Sequence, residues 1–402
     1  MNKFKPKHWM RVPIGIILCL CAGLASGQDA LHEAYRSGPI RLEPDPDFGK
    51  DTDWNSLFYH LFCDITAAPD GSIFIASSRQ HRIFKFDHDG KLIKSFGRKG
   101  QGPGDFNSPG DLSVLDGKLL VVGEYALSHR ISLFNLEGNF KKILKTRRPP
   151  YRPIALRDGR IAYVVKNYRQ EGGGRTKIIS SVVIRDIYSD RQTKVAEFTF
   201  NSASLRIGQG SYSFGGSKTN GETSIAATKE GNLIVGNSLR PFFEVFSPEG
   251  AKLSTIPLNM EPIPVTKHLI GEFKKYHIDR MRGNSSSSQD QNQERLKQLR
   301  KASWDHMFGD NLPLYRELLV DAEGNLIVFA ETDCLGDCPK LIQVYSSGGE
   351  FVCDSELIEG PFALTIDPRI RNMCFTRQGL IAMVEVKDAE EFELRLIKVA
   401  YK

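Results

Sequence analysis

Short apolar segments joined by acidic-Gly dipeptides recur along this chain, and no other feature restricts its fold as strongly. Asp70-Gly71, Asp116-Gly117, Asp158-Gly159, Glu230-Gly231, Glu323-Gly324 and Gln378-Gly379 each separate two short runs, such as CDITAAP from SIFIASS or TSIAATK from NLIVGN. Glycine after an acidic or amide residue supplies the positive φ that a tight hairpin needs, so these are six hairpins of one kind. A second turn follows in most units, at Asp89-Gly90, Glu137-Gly138, Glu249-Gly250 and Gly348-Gly349, with Asp190-Arg191 in that place in the third unit.

The two turns of a unit recur at a nearly fixed separation, Gly71 to Gly90, Gly117 to Gly138 and Gly231 to Gly250. Each unit is therefore four antiparallel strands, which is one propeller blade. The expected fold is all-β: a six-bladed β-propeller of four-stranded antiparallel blades. The last unit offers only three strands, which would leave an open edge. The N-terminal stretch GPIRLE (residues 38–43) is expected to close the ring by pairing with that last blade. The rhythm breaks once, with a helical insertion at about residues 266–308 between blades 4 and 5. Residues 267–282 place Leu269, Ile270, Phe273, Tyr276 and Met281 at helical spacing, and a polar linker GNSSSSQDQNQ precedes a second expected helix over 294–303. The insertion either covers one mouth of the ring or is a spacer. RQEGGGRT (169–176) is a smaller loop extension in the third blade.

Two domains follow: a signal peptide over 1–27 and the propeller over 28–402. Lys3, Lys5, Lys7 and Arg11 precede an apolar run at 12–25 and the small-residue signal Ala25-Ser26-Gly27. Lipid attachment at Cys21 competes, but bulky Leu20 precedes that cysteine; an uncleaved anchor is the other alternative. Export to the periplasm or the cell exterior is the expected localisation, with no membrane span in the mature chain. Losing the leader's four basic residues lowers the formal charge from +6 to +2. A nearly neutral exported chain lacks the clustered positive field that nucleic-acid binding needs. Of seven cysteines, Cys19 and Cys21 leave with the leader, and Cys334 and Cys338, in CLGDC, are the disulfide candidate.

Residues 81–109, HRIFKFDHDGKLIKSFGRKGQGPGDFNSP, resemble an NHL-type repeat: an Arg-Ile opening to the third strand, an aromatic-Asp-x-x-Gly turn, and a glycine-rich link ending at Pro. HRISLFNLEG (129–138) repeats its first part, and NLPLYRELLVDAEG (311–324) is similar to the lead into a fifth blade. The mature chain thus resembles the bacterial exported six-bladed β-propeller family with NHL-type repeats. The resemblance implies the fold and says little about activity.

No Gly-x-Ser-x-Gly, His-Glu-x-x-His or Gly-x-x-x-x-Gly-Lys-Ser/Thr string occurs. The candidates for ligand binding come from loops that share one mouth by strand count: His81, Arg82, Glu124, Tyr125, His129, Arg130, Arg148, Tyr151 and Arg152, with Arg147 beside them. Arginine carries a permanent charge and a fork suited to carboxylates. The competing reading ties each Arg to a neighbouring blade, because Arg-Ile belongs to the repeat itself. His81 and His129 are alternative metal ligands, and Asp45, Asp47, Asp51 and Asp53 an alternative calcium segment. No cofactor is expected from the spacing; calcium or zinc is the alternative. The glycines of residues 95–112 suggest a phosphate loop, but no helical period follows to aim amides at an anion. The expected function is a monomeric, non-catalytic binding or scaffold protein that recognises a protein, peptide or glycan at the loop-rich mouth. The alternative is a metal-dependent lyase or hydrolase at the central channel mouth.

Overall fold

The computed structural model describes residues 35–41, 44–58, 63–124, 128–172, 175–203, 205–207, 210–212, 221–283, 296–301, 304, 308–333, 340–359, 362–363, 373–376, 379–386 and 394–399. The expected signal peptide at 1–27, Tyr125, and Cys334 and Cys338 lie outside them.

Strand β1 (Ile40–Arg41) and helix α1 (Trp54–Leu57) precede the first sheet, which holds β2 (Cys63–Ala67), β3 (Ile73–Ser77), β4 (Arg82–Phe86) and β5 (Leu92–Phe96). The second sheet holds β6 (Pro109–Leu115), β7 (Leu119–Glu124), β8 (Arg130–Asn135) and β9 (Phe140–Lys145). The third holds β10 (Pro150–Ala155), β11 (Arg160–Gly172), β12 (Arg175–Asp186) and β13 (Gln192–Ala203), and a small hairpin follows, β14 (Leu205–Ile207) with β15 (Gly210–Tyr212). The fourth holds β16 (Thr223–Ala227), β17 (Leu233–Asn237), β18 (Phe242–Phe246) and β19 (Lys252–Pro257). After helix α2 (Lys267–Gly283) the fifth holds β20 (Tyr315–Val320), β21 (Leu326–Ala330), β22 (Lys340–Tyr345) and β23 (Phe351–Ile358). The C-terminal sheet is β24 (Phe362–Ala363), β25 (Met373–Thr376), β26 (Gly379–Val386) and β27 (Leu394–Val399).

Five units carry the four-strand antiparallel meander in sequence order. The turns do what their residues allow. In the second and third units both residues of the first turn take positive φ, Asp116 at 51° with Gly117 at 64° and Asp158 at 54° with Gly159 at 69°. That pair of angles matches the right-handed strand twist, so the strands leave the turn already paired. Buried apolar clusters then join successive sheets: Ile83, Phe106 and Val122 between the first and second, Leu133 and Ile161 between the second and third, Val182 and Val235 between the third and fourth, Phe243 and Leu318 between the fourth and fifth. Successive inner strands also touch, β2 with β6, β6 with β10, β10 with β16, β16 with β20, β20 with β25 and β25 with β2. The molecule is an all-β propeller of four-stranded antiparallel sheets with few helices.

One expectation is corrected. The C-terminal sheet is three strands wide: β24 and β25 lie end to end along one edge of β26, at Phe362–Val386 and Met373–Ala382, with β27 on its other side. But β1 does not join that sheet. It pairs in parallel with β23, Ile40 beside Leu357 and Arg41 beside Ile358. The cause lies just upstream, where the chain is already committed. Tyr35 is 4% exposed in a cluster with Leu319, Phe329 and Met373, and its hydroxyl donates to Asp321 at 2.9 Å. The Ser355 hydroxyl donates to the Gly38 carbonyl at 2.9 Å. From there residues 44–58 cross to the first sheet, where the Gly49 amide donates to the Asp89 carbonyl at 2.7 Å and the Thr52 hydroxyl to that of Gly90 at 2.9 Å. Phe48, Trp54 and Phe58 fill the space between Ile65, Phe84 and Phe86 of the first sheet and Ile381 and Met383 of the C-terminal one.

Between β19 and β20 the chain makes its helical excursion. It leaves and returns side by side: Val265 donates to the Asp310 carbonyl and Leu312 to that of Ile263, each at 2.9 Å. Helix α2 turns Leu269, Phe273 and Ile278 inward; Phe273 meets Trp304 at 6.0 Å, and the Trp304 indole donates to the Leu299 carbonyl at 3.2 Å. A second helical stretch is described at 296–301. Tyr345 fixes the exit from β19, accepting from the Asn259 amide at 2.8 Å and donating to Gln343 at 2.6 Å. Burial pushes its phenol up to about 12. A raised folded pKa means the stabilisation is complete below the free phenol's value near 10 and is lost as pH rises through 12. We expect roughly 2–3 kcal/mol of stability to vanish across that window, read as a falling melting temperature with tyrosinate absorbance appearing at unfolding. Tyr345→Phe should remove Tyr345's share of that loss and leave the share of other buried phenols; an unchanged pH slope would refute the assignment.

Candidate functional site: the channel and the link-face mouth

Six inner strands line one axial cavity. Residues 65–66, 112–114, 154–155, 225–227, 318–320 and 373–375 enclose about 240 Å³ with mostly aliphatic walls. A wider hollow of about 550 Å³ shares Val114 and Phe375 with it and includes Asp70, Gly71 and His88, so it opens on the face of the first hairpins.

The opposite end, toward the interblade links, is polar and closed. Asp64, Asp111, Ser224 and Glu317 each immediately precede a cavity-lining residue, and all are buried. Asp64 accepts from the amides of Ile65 (2.9 Å) and of Leu112 on the next inner strand. Asp111 accepts from the Arg152 amide at 2.9 Å, again one strand onward. Carboxylates thus staple first sheet to second and second to third through charge-assisted bonds. Arg152 occupies an irregular step of β10, between Tyr151 and Ile154, with φ 54°. The bulge turns its side chain across the axis, where one guanidinium nitrogen donates to both Glu317 oxygens at 2.5 and 2.6 Å. The partners' side chains are 11% and 7% exposed. Burial alone would pull the guanidinium pKa down; Glu317, followed by Asp111 and Asp64, outweighs it and holds the charge in place. Tyr315 stands beside them, its phenol pKa pushed strongly up by burial. Its hydroxyl fits only because residue 236 is glycine, where a Cβ would come within 2.2 Å.

Around this plug the sequence candidates separate into inner and outer groups. Glu124, 1% exposed, accepts from the Asn107 amide at 2.8 Å, the Ser128 hydroxyl at 3.0 Å and the Arg130 guanidinium. Arg130 in turn donates to the carbonyls of Gln101 (2.8 Å), Gly100 (3.3 Å) and Asp105 (2.9 Å). These bonds pin the glycine-rich link, which Asp105 closes by accepting from Arg98 at 2.8 Å. Arg316 and Glu331 make a like pair at 2.9 and 2.5 Å. Arg82, His129, Arg147 and Arg148 are exposed; Arg82 donates to the Ser95 hydroxyl at 3.1 Å. His81 is half-buried with φ 57°. Tyr151 lies under Lys166, 5.3 Å from its ring centre, and Lys166 pairs with Glu222 at 2.7 Å. Burial, then Tyr168, pushes the Tyr151 phenol up to about 12. In the acidic segment Asp47 pairs with Lys50 at 3.0 Å, and among the described residues no three His, Cys, Asp or Glu side chains gather as a metal-binding group.

Asp64 and Glu317 escaped sequence reasoning. A signal existed: Cys-Asp-Ile, Gly-Asp-Leu and Arg-Glu-Leu place a carboxylate before the same inward aliphatic position in three inner strands.

No family model matches this chain, and no curated protein does. Solved structures do. A member of the DUF4221 family from Bacteroides vulgatus is similar at 11% identity over 90% of this chain and 95% of that one, with a TM-score of 0.48. A Bacteroides fragilis protein described as exported is similar at 11% identity over 86% and 83%, TM-score 0.44. A streptogramin B lyase is similar at 10% identity over 85% and 84%, TM-score 0.39.

Proposed function

We propose that this chain is an exported, non-catalytic binding propeller of six blades, and that it holds a protein, peptide or glycan at the mouth on the link face. The blade count rests on the closed succession of inner-strand contacts and on the shared core that joins the C-terminal sheet to both neighbours. Export rests on the basic and apolar start of the sequence.

One observation carries the binding reading. The buried charges of the mouth satisfy one another, Arg130 with Glu124, Arg152 with Glu317 and Arg316 with Glu331, while His129, Arg147 and Arg148 stand exposed on loops of the same face. A rigid, internally neutralised ring carrying exposed basic loops is a platform for recognition. The helical excursion leaves and rejoins on this face, and we place it beside the ligand.

The test is capture from the native cell envelope with the mature protein as bait. Arg82→Ala, His129→Ala, Arg147→Ala and Arg148→Ala together should abolish capture without lowering the melting temperature. Stoichiometric zinc or calcium in purified protein, lost in a His81→Ala/His129→Ala variant, would replace this reading with the metal-dependent one.

A further inference from the structure

The third sheet is built to a different length from the others. Its β11, β12 and β13 have 13, 12 and 12 residues, whereas β7 and β8 of the second sheet have 6 each. The excess lies on the link face. β10 begins at Pro150 opposite Val165, and residues 166–172 of β11 run on beyond it, paired with β12 from Lys166–Ser180 to Gly172–Arg175. β12 is backed by β13 as far as Arg175–Ala203. A three-stranded flap therefore stands above the ring, roughly 20 Å tall at 3.3 Å per residue.

One edge of this flap is open toward the axis. Among the described residues, no strand pairs with β11 past Val165 on the side that β10 occupies below. In an antiparallel strand every second residue turns both its N–H and its C=O to the same side, so about three residues of 166–172 present paired donors and acceptors there. An edge like this recruits extended chain. Its surroundings select the chain's charge. Arg147, Arg148 and Arg169 are exposed and Lys177 half-buried, against a single exposed carboxylate, Glu171; the charge of Lys166 is met by Glu222. Tyr168, 56% exposed, offers an aromatic surface beside Tyr151.

We propose that the inner edge of β11, residues 166–172, docks an extended acidic polypeptide segment of a partner protein by strand addition. This rests on the binding reading above and names its ligand: main-chain hydrogen bonds give the affinity, and the basic flanks give the selection.

A blocked ten-residue peptide alternating Thr and Glu, its Thr-Lys counterpart, and two versions of the Glu peptide N-methylated on alternate residues in opposite registers make the test, titrated calorimetrically into the mature protein. The Glu peptide should bind and the Lys peptide at least about tenfold more weakly. One N-methylated register should lose at least about tenfold, and amides within 166–172 should gain exchange protection on binding. Tyr168→Pro or Arg169→Pro, whichever removes an edge N–H, should abolish binding while the melting temperature falls only modestly, because that N–H is unpaired even though Ile178 and Phe200 at the same level belong to the core shared with the fourth sheet. Absence of binding, equal affinity of both N-methylated registers, or indifference to both proline variants would overturn the proposal. An envelope partner captured equally well by both proline variants would overturn this edge while leaving the broader binding reading standing.

Discussion

Replacing Arg152 by Met should cost about 3–5 kcal/mol, the typical penalty for stranding one member of a buried ion pair. Glu317 would keep its bond from the Leu318 amide at 3.0 Å but lose both bonds from the guanidinium. Glu317→Leu strands the guanidinium in turn, whose charge is permanent, and should cost a comparable amount. The Arg152→Met/Glu317→Leu double variant removes both charges and should recover much of either loss. Urea unfolding at pH 7 measures all three. Single-variant losses below about 1 kcal/mol would mean the axial pair is solvated and does not seal the channel.

That pair also shows where sequence reading stops. Turns are written locally: nine of the expected turn glycines, from Gly71 to Gly349, take positive φ. The third strands are nearly as plain, since Phe86, Phe134, Phe246 and Tyr345 each sit at a register shift just before the second turn and are each buried. A local pattern repeated in four units survives any error in one of them. Channel chemistry is different in kind. Arg152 appears in sequence as one more basic residue of TRRPPYR, and only the bulge in β10 turns it away from Arg147 and Arg148 toward a carboxylate 165 positions later. Ring closure fails for a related reason. A two-residue strand carries no alternation from which to read a partner, and what decides its neighbour is Tyr35, five residues upstream of Ile40, inserted among the fifth and C-terminal sheets. The long strands of the third sheet were visible only as a glycine-rich loop, because RQEGGGRT has the composition of a turn and lies at the tip of a hairpin that continues well below it.

Trp54→Ala should lower stability by about 3–5 kcal/mol, the usual range for truncating a buried aromatic. The indole is 7% exposed, stacks with Phe48 and Phe58 at 6.4 Å each and meets Phe86 at a tilt, 5.1 Å between centroids. Its location makes the effect more than a cavity. Residues 35–58 grip the fifth sheet through Tyr35 and β1, then cross to the first sheet, while their aromatics also cover Ile381 and Met383. The arm is the covalent and packed bridge across the seam between the end of the chain and its beginning. A ring weakened there should open there first, so amides of β26 and β27 should exchange faster in Trp54→Ala before those of β7 or β17 do. Fluorescence follows the same event from the parent side. In protein expressed without residues 1–27, Trp54 and Trp304 are the remaining tryptophans, so Trp304→Phe leaves a single reporter at the seam. Its emission should shift red at or below the denaturant concentration that melts the sheets. Emission that lags the loss of β-sheet signal would show that the seam outlasts the blades, and the arm would then be a passenger on the ring and not its clasp.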